Sequence, residues 1–110
     1  MNKEIEQIFK NFDIPVSFMK DDTHGESYAT YGLMMNDNIF SADDELQNYV
    51  VYYDIDVYSK KNFIKLLDKI IEKMENSGWK WQPAMSSADM YENDTGYFHR
   101  TLCFSKEKGI

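Results

Sequence analysis

Hydrophobic and polar positions are most regularly ordered over residues 46–78. Through the first half they alternate. Tyr49, Val51, Tyr53, Ile55 and Val57 fall on one side, and Val50, Tyr52, Asp54, Asp56 and Tyr58 on the other. A period of two carried by β-branched and aromatic residues predicts a long strand with one apolar face. The second half changes to helical spacing. Phe63, Leu66, Leu67, Ile70, Ile71 and Met74 form one stripe, with Lys65, Lys69, Glu72, Lys73 and Glu75 mostly off it. Ser59 is the expected N-cap and Gly78 the expected residue just past the C-terminus. The helix stripe is expected to cover the Tyr49/Val51/Tyr53/Ile55/Val57 face of the strand.

Weaker patterns surround this unit. Ile5, Ile8 and Phe9 predict a short helix over residues 2–11, stopped by Asp13 and Pro15. Residues 15–19 and 27–35 read as two strands. The polar, turn-like residues 20–26 between them suggest a hairpin, and Gly32 marks a bulge or a close backbone approach. Residues 36–45 read as a loop by composition, although they include Ile39 and Phe40. Trp79–Gln82 alternates and could begin a strand that Pro83 ends. Residues 84–92 fit loop, strand or helical turn, and Asn93–Gly96 is a turn signal. Residues 97–105 read as a final strand with Phe98, Leu102 and Phe104 on one side, followed by a frayed tail. Together these elements predict a single α+β domain over residues 1–110. Its sheet is mainly antiparallel, with four to five strands and both helices packed on one face. The other face, half aromatic and half acidic, suits burial against another subunit.

Composition narrows the function classes. An aromatic share of 15% is too high for a disordered chain. One cysteine, Cys103, excludes an internal disulfide framework and is expected to be a buried apolar residue. No apolar run reaches membrane-span length, and the amphipathic N-terminus is unlike a signal peptide, so a soluble intracellular protein is expected. The formal charge is −7. Residues 1–59 hold 12 acids and 3 bases, or −9, and residues 60–110 hold 7 acids and 9 bases, or +2. This balance argues against a nucleic-acid binder and describes a polarised molecule able to pack against copies of itself.

Candidate chemistry is sparse. Asp54 and Asp56 share a strand face with Cβ atoms about 7 Å apart. With His99 on a neighbouring strand they could form an acid/base pair or hold a divalent cation, but a solvated acidic face is the simpler reading. Asp43, Asp44 and Glu45 form a second acidic cluster, and Asp21 and Asp22 a third, without calcium-loop spacing. Ser86 and Ser87 have no base at a meaningful spacing. No phosphate-loop, dinucleotide, serine-elbow or zinc-helix motif is present. The residues assign no catalytic, cofactor or metal site.

Three segments together carry a family resemblance. An acidic D-D-E entry at 43–45 opens the long strand, D-V-Y-S-K at 56–60 leads into the helix, and E-N-D-T-G-Y-F-H at 92–99 precedes the last strand. Over residues 42–105 the chain resembles small tail proteins from the structural gene block of siphophages and prophages of Gram-positive bacteria, known as tail-terminator, tail-completion or head–tail joining components. The resemblance implies a non-enzymatic subunit in a closed ring, typically hexameric, at the head-proximal end of the tail tube. It would stop tube growth and meet the head connector. Implied partners are copies of itself, the tail tube protein and the head–tail connector protein. A specific nucleic acid and a membrane are not among them. The implied location is the virion tail, with assembly in the host cytoplasm.

On this reading Ile39, Phe40, Asp43, Asp44 and Glu45 are candidate oligomer or tube contacts, and Asp54 and Asp56 a candidate acidic lumen lining. Two other readings are open. One is a small binding module that captures a partner or ligand through Trp79, Trp81 and a tyrosine-rich surface. The other is a metal-dependent enzyme using Asp54, Asp56 and His99.

Overall fold

Strand β3 (Glu45–Ser59) is the spine of the fold. Tyr53 is 2% exposed, and Val51, Ile55 and Val57 are fully buried on one face, as the alternation predicts. The computed structural model describes the backbone of residues 2–18, 26–42 and 45–109, and side chains over 3–18, 26–34 and 50–107. Among the described residues six strands make one sheet: β1 (Val16–Phe18), β2 (Ser27–Ala42), β3, β4 (Lys80–Trp81), β5 (Met90–Glu92) and β6 (Tyr97–Gly109). Their order is β1-β2-β3-β6-β4, and β5 also pairs with β6. Two helices, α1 (Asn2–Ile8) and α2 (Ile64–Asn76), complete the α+β domain. A 15-residue strand spans about 50 Å at strand rise, which accounts for the 53 Å long axis.

Both helices lie on the Val51/Tyr53/Ile55/Val57 face. Ile5 and Phe9, from α1 and the turn after it, and Leu67, Ile70 and Met74 from α2 join Ala29, Tyr31, Leu102 and Phe104 in one core. Helix α2 ends as its residues dictate. Gly78 has φ of 90°, where a side chain would be strained. Its N–H donates to the Glu75 carbonyl at 3.1 Å, and the Trp79 N–H donates to the Met74 carbonyl at 3.0 Å. This 5→2 and 6→1 pair is a Schellman closure, with buried Trp79 beside buried Met74.

Five expectations need correction. The first two strands are no hairpin. Val16 pairs with Ala29 and Phe18 with Tyr31 in parallel, so the sheet is mixed and has six strands. Helix α1 docks on the core, and the chain leaving it enters beside the start of β2, where the Ala29 N–H meets the Pro15 carbonyl at 2.9 Å. Residues 36–42, expected as loop, continue β2 against β3 from Asn36↔Val51 to Ala42↔Glu45. Their polar composition hid this, because backbone pairing does not depend on apolar side chains. Register shifts break the ladder at Leu33/Met35, Asn38/Phe40 and Phe40/Ser41.

Ser59 does not cap α2. It is the last residue of β3, and its hydroxyl lies 2.8 Å from the Ser27 hydroxyl. The helix begins five residues later, with the Asn62 side-chain oxygen accepting the Ile64 N–H at 3.0 Å. Helix α1 stops at Ile8, three residues short of the expected end, and Asn11 turns the chain at φ 62°. The expected frayed tail instead extends β6, pairing Lys106 with Val51 and Gly109 with Asn48. The Lys106 ammonium holds Glu4 at 2.6 Å and donates to the Ser77 carbonyl at 3.3 Å, so the tail ties α1 to the end of α2.

Candidate functional site

The sheet face opposite the helices carries the acidic and aromatic residues singled out by the alternation of β3. Cross-strand register sets Asp54 between Gly32 and Cys103, Asp56 between Thr30 and Thr101, and Tyr58 between Tyr28 and His99. Tyr28 stacks on Tyr58 with ring centroids 4.7 Å apart, and His99 stacks on Tyr58 at 4.2 Å. The Tyr97 ring meets Tyr28 edge-on at 5.4 Å. Aromatic packing of this kind buries Tyr28 and Tyr97 without a covering helix.

The two acids differ. The Thr101 hydroxyl donates to Asp56 Oδ1, and His99 Nε2 lies 3.4 Å from the same oxygen. His99 Nδ1 lies 3.7 Å from Glu92, so the ring sits between two carboxylates. Asp54 is half-buried on this face, with Oδ1 out of solvent and lacking a hydrogen bond. Burial raises its pKa above the ordinary carboxylate value, opposed by the Cys103 thiol beside it and reinforced by Asp56. Burial likewise pushes the Cys103 thiol up to about 12, with the Asp54 charge adding to it. Met34 closes over Cys103, with 3.7 Å between the sulfurs. Tyr58 is also pushed up to about 12, first by burial and then by Asp56.

The His99–Asp56 pair has the form of an oriented imidazole. Its side chain is only 16% exposed, and Tyr58 covers one ring face. The depression beside Asp54 and Asp56 measures about 210 Å³, below the usual range of small-molecule sites. Among the described residues no three His, Cys, Asp or Glu side chains converge as a metal site. Asp54, Asp56 and His99 do share one face, but Asp54 turns to Cys103 while His99 reaches Asp56.

Ser86 and Ser87 have a structural task. Where the 3₁₀ turn Pro83–Met85 interrupts the edge between β4 and β5, the Ser86 hydroxyl accepts the Cys103 N–H at 2.9 Å and the Trp81 indole N–H at 3.2 Å. The Ser87 hydroxyl accepts the Thr101 N–H at 2.9 Å. These side chains stand in for a missing edge strand. Trp79 is 2% exposed, donates to Glu4 at 2.8 Å and packs edge-on against Tyr53. It therefore presents no stacking surface, and Trp81 packs half-buried against the core.

No protein-family model and no curated protein matches the chain.

Of the expected interface residues, Ile39 and Phe40 lie in β2, where Phe40 pairs with Asn48, and Glu45 opens β3 opposite Ala42. Asp43 and Asp44 lie outside the described residues. A broad cleft of about 730 Å³, not anticipated from the sequence, opens at the start of α2, lined by Lys61, Lys65 and Lys69 with Asp13 and Glu26. Lysines four residues apart were the available signal. Asp13 pairs with Lys69 at 2.7 Å and Glu26 with Lys61 at 3.5 Å, which neutralises much of the cleft. Apolar side chains are also exposed on Phe18 in edge strand β1, on Leu33 in β2 beyond its pairing with β1, on Tyr91 in β5 and on Phe98 in β6.

Proposed function

We propose that the chain is a non-enzymatic structural subunit that assembles with copies of itself, as a tail-terminator-like ring of a phage or prophage. The observation that carries this reading is where the interaction potential lies. On the polar face, Thr101 and His99 both bond to Asp56, and Tyr28 stacks on Tyr58. Among the described residues, large apolar side chains left in solvent are Phe18, Leu33, Tyr91 and Phe98 on the helix-bearing side with Ile64 at the start of α2, and Met34 and Met90 on the polar side. Apolar side chains left in solvent suit subunit packing better than turnover of a small substrate. The sequence resemblance over residues 42–105 supplies the setting: a ring that closes the head-proximal end of a tail tube and meets the head connector. If the polar face lines the lumen, Asp56, one-third exposed, offers charge to it, whereas the buried oxygen of Asp54 does not.

The test is co-assembly with the tail tube protein of the same structural gene block, read by negative-stain electron microscopy. Shorter tubes with a ring of added density at one end are expected. Tubes of unchanged length and bare ends at equimolar protein would refute the proposal.

A further inference from the structure

Helix α2 divides its exposed surface by charge. Asp68, Glu72 and Glu75 recur at intervals of four and three, and Lys65, Lys69 and Lys73 at intervals of four. At 3.6 residues per turn the two sets fall on separate flanks of the helix. All six side chains are exposed. Among the described residues no basic group pairs with Asp68, Glu72 or Glu75, and no carboxylate pairs with Lys65.

Each flank borders its own hollow. The acidic flank faces a groove of about 350 Å³ whose other wall comes from β4, β6 and the approach to β5, with Ile64, Ile71 and Trp81 supplying apolar surface. Asp89 and Arg100 lie in that wall. Arg100 is already engaged, 3.7 Å from Asp89 and donating to the Ser87 carbonyl at 3.2 Å. The lysine flank faces the cleft that Asp13 and Glu26 share, toward the start of β2. Lys73 continues this flank, 5.8 Å above the Phe12 ring. Glu72 stands on the crest and borders both the groove and the hollow beside Lys73. With Glu72 set aside, Asp68, Glu75 and Asp89 against Arg100 leave −2 on the acidic side. Lys61, Lys65, Lys69 and Lys73 against Asp13 and Glu26 leave +2 on the other.

Each flank thus has its complement on the same molecule. Asp68 to Glu75 and Lys65 to Lys73 both run about 10–12 Å along the axis at helix rise, so the two rows match in length. The groove and the cleft open toward opposite edges of the sheet and share no residue, so a single neighbour does not fill both. Two different, complementary surfaces per copy are what a head-to-tail contact needs. Lysine stems are apolar and can lie along Ile64, Ile71 and Trp81 while their ammonium groups reach the carboxylates.

We propose that the acidic flank of α2 in one copy docks on the lysine flank of α2 in the next. This rests on the self-assembly reading above and names its two surfaces. Charges in contact lie well within the Debye length of about 8 Å at 0.15 M, so the pairing persists at that salt while the longer-range repulsion between copies is screened.

The experiment measures solution mass by light scattering at about 0.15 M salt, with thermal unfolding as the check on folding. It compares the wild type, Asp68→Lys with Glu75→Lys, Lys65→Glu with Lys73→Glu, and a 1:1 mixture of the two double variants. The wild type is expected to exceed twice the 13.0 kDa monomer mass as concentration rises. Each double variant alone is expected to stay at monomer mass, because both its flanks then carry one sign. The mixture is expected to regain mass, since one variant is basic on both flanks and the other acidic on both. Assembly of either variant alone to the wild-type mass overturns the choice of flanks while leaving self-assembly intact. A mixture that stays monomeric overturns the pairing of acidic with lysine flank. A wild type that stops at twice the monomer mass overturns the head-to-tail order. A wild type at 13.0 kDa under every condition overturns this inference, and tube capping then decides the ring reading separately.

Discussion

Asp54 shows how one residue departs from its pattern. Alternation places it on the polar face, and an acid there is expected to be solvated. Its oxygen Oδ1 is instead buried beside Cys103. The folded protein therefore binds the carboxyl proton more tightly than the unfolded chain does. That preference stabilises the fold fully below the ordinary value of 3.8 and is lost as pH rises through the raised value. Asp54→Asn is thus expected to raise the thermal midpoint at pH 7 and to flatten its dependence on pH above about 4. Melting curves of both proteins between pH 4 and 8 check this. A lower midpoint for the variant at pH 7 would mean that the charge has a partner worth more than its burial costs.

At the scale of elements, the edge of the sheet is held by side chains acting as backbone. Pro83 cannot donate to a ladder, and the 3₁₀ turn it opens lifts the chain off β6. Ser86 and Ser87 take over the acceptor role for Cys103 and Thr101. Ser86→Ala removes the acceptor of both the Cys103 N–H and the Trp81 indole. A buried donor left unmade costs about 1–3 kcal/mol, or roughly 4–8 °C per kcal/mol in a domain of this size. Chemical denaturation is expected to show that loss, and a change within about 0.5 kcal/mol would show that water replaces the hydroxyl. Strand β5 and its neighbours were hard to read in the sequence for this reason. Their pairing alternates between backbone and hydroxyl, which leaves no hydrophobic period.

Charge decides the behaviour of the whole molecule. Each copy carries −7, so bringing copies together concentrates like charge. Salt shortens the reach of that repulsion to about 10 Å at 0.1 M. The proposed self-assembly is therefore expected to strengthen as ionic strength rises from about 10 mM to about 150 mM, where the Debye length falls from about 30 Å to about 8 Å. Light scattering at fixed protein concentration measures it. Dissociation on adding salt would instead make attraction between opposite charges on adjoining copies the dominant force, ahead of apolar contact.

The sequence by itself determined the central strand, its buried face, the helix that covers it and the glycine that ends that helix. Each of these is a local signal: a period of two, a period of 3.6, and a residue free to adopt positive φ. The shared face of Asp54 and Asp56 follows from the same alternation. Tertiary structure alone decided the rest. The parallel entry of β1 depends on where α1 docks. Strand β2 continues through residues 36–42 because β3 supplies hydrogen-bond partners from across the sheet, whatever the side chains are. Ser59 lies in a ladder and not on a helix because Ser27 and Phe98 reach it from either side. Which apolar residues stay in solvent is likewise a property of packing: Phe98 shares a face with buried Leu102 and Phe104, and only its place beyond the helices' cover leaves it exposed.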